Sequence, residues 1–154
     1  MGRETGALIT CLVAAAVAVV GCGGDDDGLP TGEVSKSEYI LQADRICARG
    51  DRQINLAADQ YFGEELGLRS NQQPTDQQIA RFGEDEVIPG IQDQHDELVE
   101  LEAPEEDAEE LEEIYDTLQE EIDAAEEDPV TVAEDAFAEA SRLARDYGLE
   151  ACGS

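Results

Sequence analysis

Tryptophan is missing from the 154 residues, phenylalanine occurs three times and tyrosine four. So few large rings exclude a core built on aromatics, and close packing of small side chains is expected instead. Basic residues are scarce as well: nine Lys and Arg stand against 39 Asp and Glu, and Lys36 is the one lysine. This balance repels nucleic acid and anionic headgroups, so no nucleic-acid partner is expected. It suits a cationic partner, divalent ions, plain solubility or life in high salt. There is one histidine. No G-x-S-x-G, H-E-x-x-H, P-loop or dinucleotide fingerprint occurs, and the chain is read as a non-enzyme with no cofactor.

An apolar run of the ~20 residues a membrane-spanning helix needs is also lacking. The one extended run, Ala7 to Val20, has signal-peptide length and follows a short polar start with Arg3 and Glu4. No twin-arginine pair precedes it, so Sec export is the default. Val19-Val20-Gly21-Cys22 ends the run and resembles the lipobox of bacterial lipoproteins. The resemblance implies cleavage before Cys22, diacylglycerol on its thiol and membrane attachment through the acyl chains. Two chains are what stable anchoring requires, at ~0.8 kcal/mol per buried CH₂. Two alternatives stand beside it: cleavage after Ala16-Val17-Ala18, leaving a soluble secreted protein, or an uncut short anchor. Gly23 to Ser37 is rich in Gly, Asp, Pro and Ser and reads as a solvated tether. The divisions are therefore 1–21 signal peptide, 22–36 lipidated cysteine and acidic tether, and 37–154 a helical ectodomain.

Of four cysteines, Cys11 falls in the signal segment and Cys22 at the lipid site, leaving Cys47 and Cys152. An exported chain meets oxidising conditions, and an even pair there is expected to bond. Two free thiols remain the alternative; a metal pair would need more ligands than the chain offers.

No strand pattern appears. Periodicity instead marks four amphipathic helices. The first begins near Ser37 behind a Ser35-x-x-Glu38 capping box, with Ile40, Ala43, Cys47, Gly50, Ile54, Ala57 and Tyr61 on one face. Gly50 and two alanines on that face allow close approach of a neighbour. The second starts near Pro74-Thr75-Asp76, with Thr75-x-x-Gln78 as its cap, and carries Ile79, Phe82, Val87, Ile88, Ile91, Leu98 and Leu101. Pro89-Gly90 interrupts it, and a kink is expected because the apolar register continues beyond. The third opens at Ala103-Pro104, buries Ala108, Leu111, Tyr115, Leu118, Ile122 and Ala125, and is acidic elsewhere. The fourth opens at Asp128-Pro129, carries Ala133, Phe137, Ala140, Ala144 and Tyr147, and ends at Gly148 before a tail holding Cys152. The fold class is all-α, an antiparallel four-helix bundle with a kinked second helix.

Ser37-Glu38-Tyr39-Ile40, Ala43-Asp44-Arg45-Ile46-Cys47-Ala48 and Tyr147-Gly148-Leu149 with Cys152-Gly153 resemble a group of small actinobacterial lipoproteins. The resemblance covers most of residues 37 to 153 through short motifs. It implies the anchor, the helical ectodomain and the Cys47–Cys152 bridge, and it implies no activity.

Candidate sites are few. His95 lies in Gln92-Asp93-Gln94-His95-Asp96-Glu97, but a carboxylate-bridged metal site wants Glu-x-x-His on two helices and zinc wants more nitrogen or sulfur. It is read as a partly exposed helical histidine. Asp25-Asp26-Asp27-Gly28 lacks the spacing of a calcium loop. Arg45, Arg49 and Arg52 form a row that suits ion pairs with nearby acids better than an anion site. The acidic face of the third helix could dock a basic protein partner, against the plainer reading of a solvated face. The function expected is a lipid-anchored cell-envelope protein on the outer face of the cytoplasmic membrane, serving as a non-enzymatic binding or scaffold module. A carrier of a small apolar or haem-like ligand is the alternative, and a hydrolase a distant third.

Overall fold

The computed structural model describes residues 34–69 and 71–154, and among them every regular element is helical. The expected signal peptide, Cys22 and most of the expected tether lie outside the described residues.

Helix α1 spans Lys36–Ala58. Its start follows from local chemistry. The Glu38 N–H donates to Ser35 Oγ at 3.3 Å, and the Ser35 N–H donates to Glu38 Oε2 at 3.2 Å. Two of the donors that a helix start leaves unpaired are satisfied by this reciprocal pair. Past Ala58 the helix continues as a π-helical stretch, Asp59–Glu65. A second capping box, Thr75 with Gln78, opens α2, Asp76–Phe82. A π-helical turn at Gly83–Val87 joins α2 to α3, Ile88–Val99. There the Ile88 N–H donates to Gly83 O, five residues back. This wide turn lets helical backbone pass Pro89, which has no N–H to give.

Pro104 lies just before a 3₁₀ turn at Glu105–Asp107, and α4 follows at Ala108–Glu127. The last helix starts later than its Asp128-Pro129 signal predicts. The Asp128 side chain makes no capping hydrogen bond, Pro129–Ala133 is a 3₁₀ turn, and α5 spans Ala138–Tyr147. Two causes combine. Val130, Thr131 and Val132 are β-branched and poor helix formers. And Glu121 of α4 accepts the Glu139 and Ala140 N–H groups at 3.0 and 3.1 Å, so α5 begins where a carboxylate of another helix caps it. Ala133 is consequently exposed, as is Ala108 at the edge of α4, whereas helical spacing places both on buried faces. Gly148 ends α5 with φ +113°, a conformation that side chains strain to adopt.

Helix α1 packs on α3, α3 on α4, and α4 on α5. The main core joins Tyr39, Ala43 and Ile46 of α1 to Leu98, Leu111, Ile114, Ala144 and Leu149. A smaller core forms around Ile88, Ile122 and Ala125. Leu149, expected in the tail, is 1% exposed and belongs to the main core.

Candidate functional site

Cys47 sits on the buried face of α1, and the chain beyond Gly148 folds back over it. The Ala151 N–H donates to Asp44 Oδ1 at 2.9 Å, which fixes the tail against α1. Cys47 and Cys152 stand at disulfide distance, S–S 2.10 Å, with their Cα atoms 5.0 Å apart. The expected pairing is thus matched by the geometry.

Beside the bridge the fold assembles something no motif marks: three tyrosines from α1, α4 and α5. The Tyr39 and Tyr115 hydroxyls hydrogen-bond to each other, and Tyr39 meets the Tyr147 ring edge-on at 6.3 Å. The Tyr147 hydroxyl donates to Asp107 Oδ2 at 2.8 Å. Lys36 closes the cluster, with Nζ 3.7 Å above the Tyr147 ring and 3.8 Å from Asp107 Oδ1. Burial raises the pKa of all three phenols; the hydrogen bonds at Tyr115 and Tyr147 raise theirs further. All three therefore stay protonated at neutral pH, as structural donors and acceptors and not as bases. Their partners are 76 and 40 residues apart in the chain, beyond any local spacing signal.

The cavity beneath the bridge holds about 120 Å³ and is lined by Cys47, Asp51, Gln94, Tyr115 and Ser141 among others. That is well below the ~300 Å³ at which small-molecule pockets begin. Burial raises the Asp51 pKa, opposed by the Ser154 hydroxyl and Arg52. A folded-state pKa above the unfolded one makes stability fall as pH rises from 3.8 through the raised value. Asp51→Asn is therefore expected to stabilise the protein at pH 7, with the gain shrinking as pH falls towards 3.8. Urea denaturation across that range checks it; a variant less stable than the parent at pH 7 contradicts it.

Helix α4 carries the acidic face. Half of its 20 residues are Asp or Glu and none is basic. Apart from Glu121, which caps α5, these carboxylates are solvent-exposed, and among the described residues none forms an ion pair. Beside them runs a groove of about 330 Å³ between α3 and α4. Leu98, Leu101 and Leu111 give it an apolar floor, and the exposed Glu112 and Asp116 form its rim. His95 faces the same groove, its ring edge-on to Tyr115 at 6.1 Å and its Nδ1 3.4 Å from Asp96 Oδ1. Among the described residues no group of three or more potential metal ligands converges.

The arginine row is partly occupied by pairing. Arg49 pairs with Glu97 and so links α1 to α3, whereas Arg45 and Arg52 form no ion pair among the described residues. Comparison of the chain with protein-family models, curated proteins and solved structures returns no match.

Proposed function

We propose that the protein is a lipid-anchored cell-envelope protein, held on the outer face of the cytoplasmic membrane by acyl chains on Cys22. On this reading its ectodomain is an antiparallel four-helix bundle, bent at the Gly83–Val87 turn, and works as a non-enzymatic docking module. The observation that carries the docking reading is the acidic face of α4: its exposed carboxylates form no ion pair among the described residues and lie beside a groove with an apolar floor. A basic segment with apolar residues between its cations matches that pattern in charge and shape. The Cys47–Cys152 pair supports the compartment, because disulfides persist where the surroundings are oxidising. The small internal cavity argues against a carrier of a haem-sized ligand.

Photocrosslinking in intact membranes tests the docking surface. A crosslinker at Glu112, on the groove rim, is expected to give a discrete adduct with a basic protein. One at Leu41, exposed on α1, is expected to give none. Equal adducts from both positions, or none from Glu112, overturn the reading. Attachment is tested separately. Cys22→Ser is expected to move the protein from the salt-washed membrane fraction to the soluble or unprocessed pool, and unchanged membrane retention of a processed protein contradicts the anchor.

A further inference from the structure

Two π-helical stretches occur among the described residues, seven and five residues long, and both line one groove. Such stretches account for well under ~1% of residues in globular proteins, and they recur at functional sites. Tyr61 and Glu65 enter the groove from the first stretch, Asp85 and Glu86 from the second. Arg81 and Phe82 of α2 line it between them. The groove holds about 480 Å³, within the ~300–1,000 Å³ of small-molecule sites and four times the internal cavity.

Its chemistry selects a ligand class. The partly exposed Tyr61 ring stacks on the buried Phe82 ring at 5.7 Å with 22° between planes, and this gives the groove an aromatic wall. Arg81 pairs with Asp85 at 3.4 Å, which leaves Glu65 and Glu86 without an ion pair among the described residues. An aromatic face with unneutralised carboxylates attracts a cation through both the ring quadrupole and Coulomb's law. Among the described residues these carboxylates do not converge as a metal-ligand group. A bare divalent ion, which needs several oxygens within ~2.6 Å, is therefore poorly served. An organic cation is wider and can touch the ring with its methyl or methylene groups while the carboxylates stand further off.

We propose that the groove between the two π-helical stretches is a binding site for an aliphatic ammonium ion. Tyr61, backed by Phe82, contacts its carbon atoms, and Glu65 and Glu86 neutralise its charge. The ammonium is that of a quaternary amine, free or in a headgroup, whose methyl groups suit the Tyr61 ring and whose width suits carboxylates that stand further off. No residue of the acidic α4 face lines this groove, and the site does not depend on that face.

The test is calorimetric titration of the full chain in detergent with choline and with N-acetyl-lysine methylamide. The neutral isostere 3,3-dimethylbutanol and magnesium chloride at matched ionic strength serve as controls. Saturable binding of choline below about 10 mM is expected, with neither control reproducing it. Tighter binding of choline than of the lysine probe supports the quaternary amine, and tighter binding of the lysine probe overturns it in favour of a protein side chain. Tyr61→Leu, and Glu65→Gln with Glu86→Gln, are each expected to weaken the ammonium probe about tenfold. The glutamine pair replaces exposed groups, so its fold is expected to match the parent by circular dichroism, which keeps the test clear even if Tyr61→Leu unfolds. Absence of saturation, equal binding of the neutral isostere, reproduction by magnesium, or unchanged affinity in the glutamine variant overturns the assignment.

Discussion

Replacing Cys47 and Cys152 together by serine is expected to cost the folded protein several kcal/mol, up to ~4.7 from loop-closure entropy. The two cysteines are 105 positions apart, so the bridge closes nearly the whole described chain into one loop. Opening it frees a denatured ensemble that the bridge had held compact, and the native state loses the tie between α1 and the tail. The core cannot absorb that loss easily. Its large, fully buried side chains are Tyr39, Leu111, Ile122 and Leu149, and Ala43, Ala125, Ala140 and Ala144 fill other buried positions with little apolar area. Leu149 belongs to the core and stands three residues before Cys152, so fraying of the tail would also expose a core residue. Urea denaturation is the measure. The midpoint is expected to fall sharply and the slope to rise as the denatured state expands. A change below about 1 kcal/mol would show that the bridge does not restrain the unfolded chain.

Gly50→Val is the second large effect, and its sign is decided by one neighbour. Helix α1 presents Gly50 to the Gln94 side chain of α3. A Cβ added there would lie 2.2 Å from Gln94 Cδ and 2.4 Å from Cγ, well inside contact distance. Helix propensity favours the change by a few tenths of a kcal/mol, because glycine in a helix interior costs about 1 relative to alanine and valine roughly half that. Overpacking costs about 1–3 kcal/mol and wins. Gln94 cannot simply swing aside, since it is 7% exposed and its Nε2 donates to Gly90 O at 3.2 Å. A net loss of about 2 kcal/mol is expected. In a Gln94→Ala background the same substitution is expected to lose much less. A double-mutant cycle measures that coupling, and additive losses would contradict the contact.

What the sequence reveals and what it hides divide along the range of the interactions. Both capping boxes are legible because each closes within four residues, Ser35 with Glu38 and Thr75 with Gln78. The buried faces of α1 and α4 are legible because helical spacing repeats over many turns. Gly50 on such a face foretells a close approach, although not that Gln94 makes it. The start of α5 is misplaced by its local signal because its first N–H groups are capped by Glu121, from another helix. The tyrosine cluster is invisible for the same reason. Tyr39, Tyr115 and Tyr147 are each unexceptional on their own helix, and only packing brings their hydroxyls and rings together. The π-helical stretches leave no periodic signature, since one shift in hydrogen-bond register barely disturbs the apolar spacing. The acidic face of α4, by contrast, can be read directly, because a run of carboxylates without cations needs no partner to be recognised.

Attachment through Cys22 is the claim on which the location, the tether and the docking geometry all depend. Mass spectrometry of the N-terminal peptide, from protein extracted out of membranes, tests it most directly. The expected result is a chain beginning at Cys22 with diacylglycerol on its thiol. A chain beginning at Val19, with an unmodified Cys22, would contradict it.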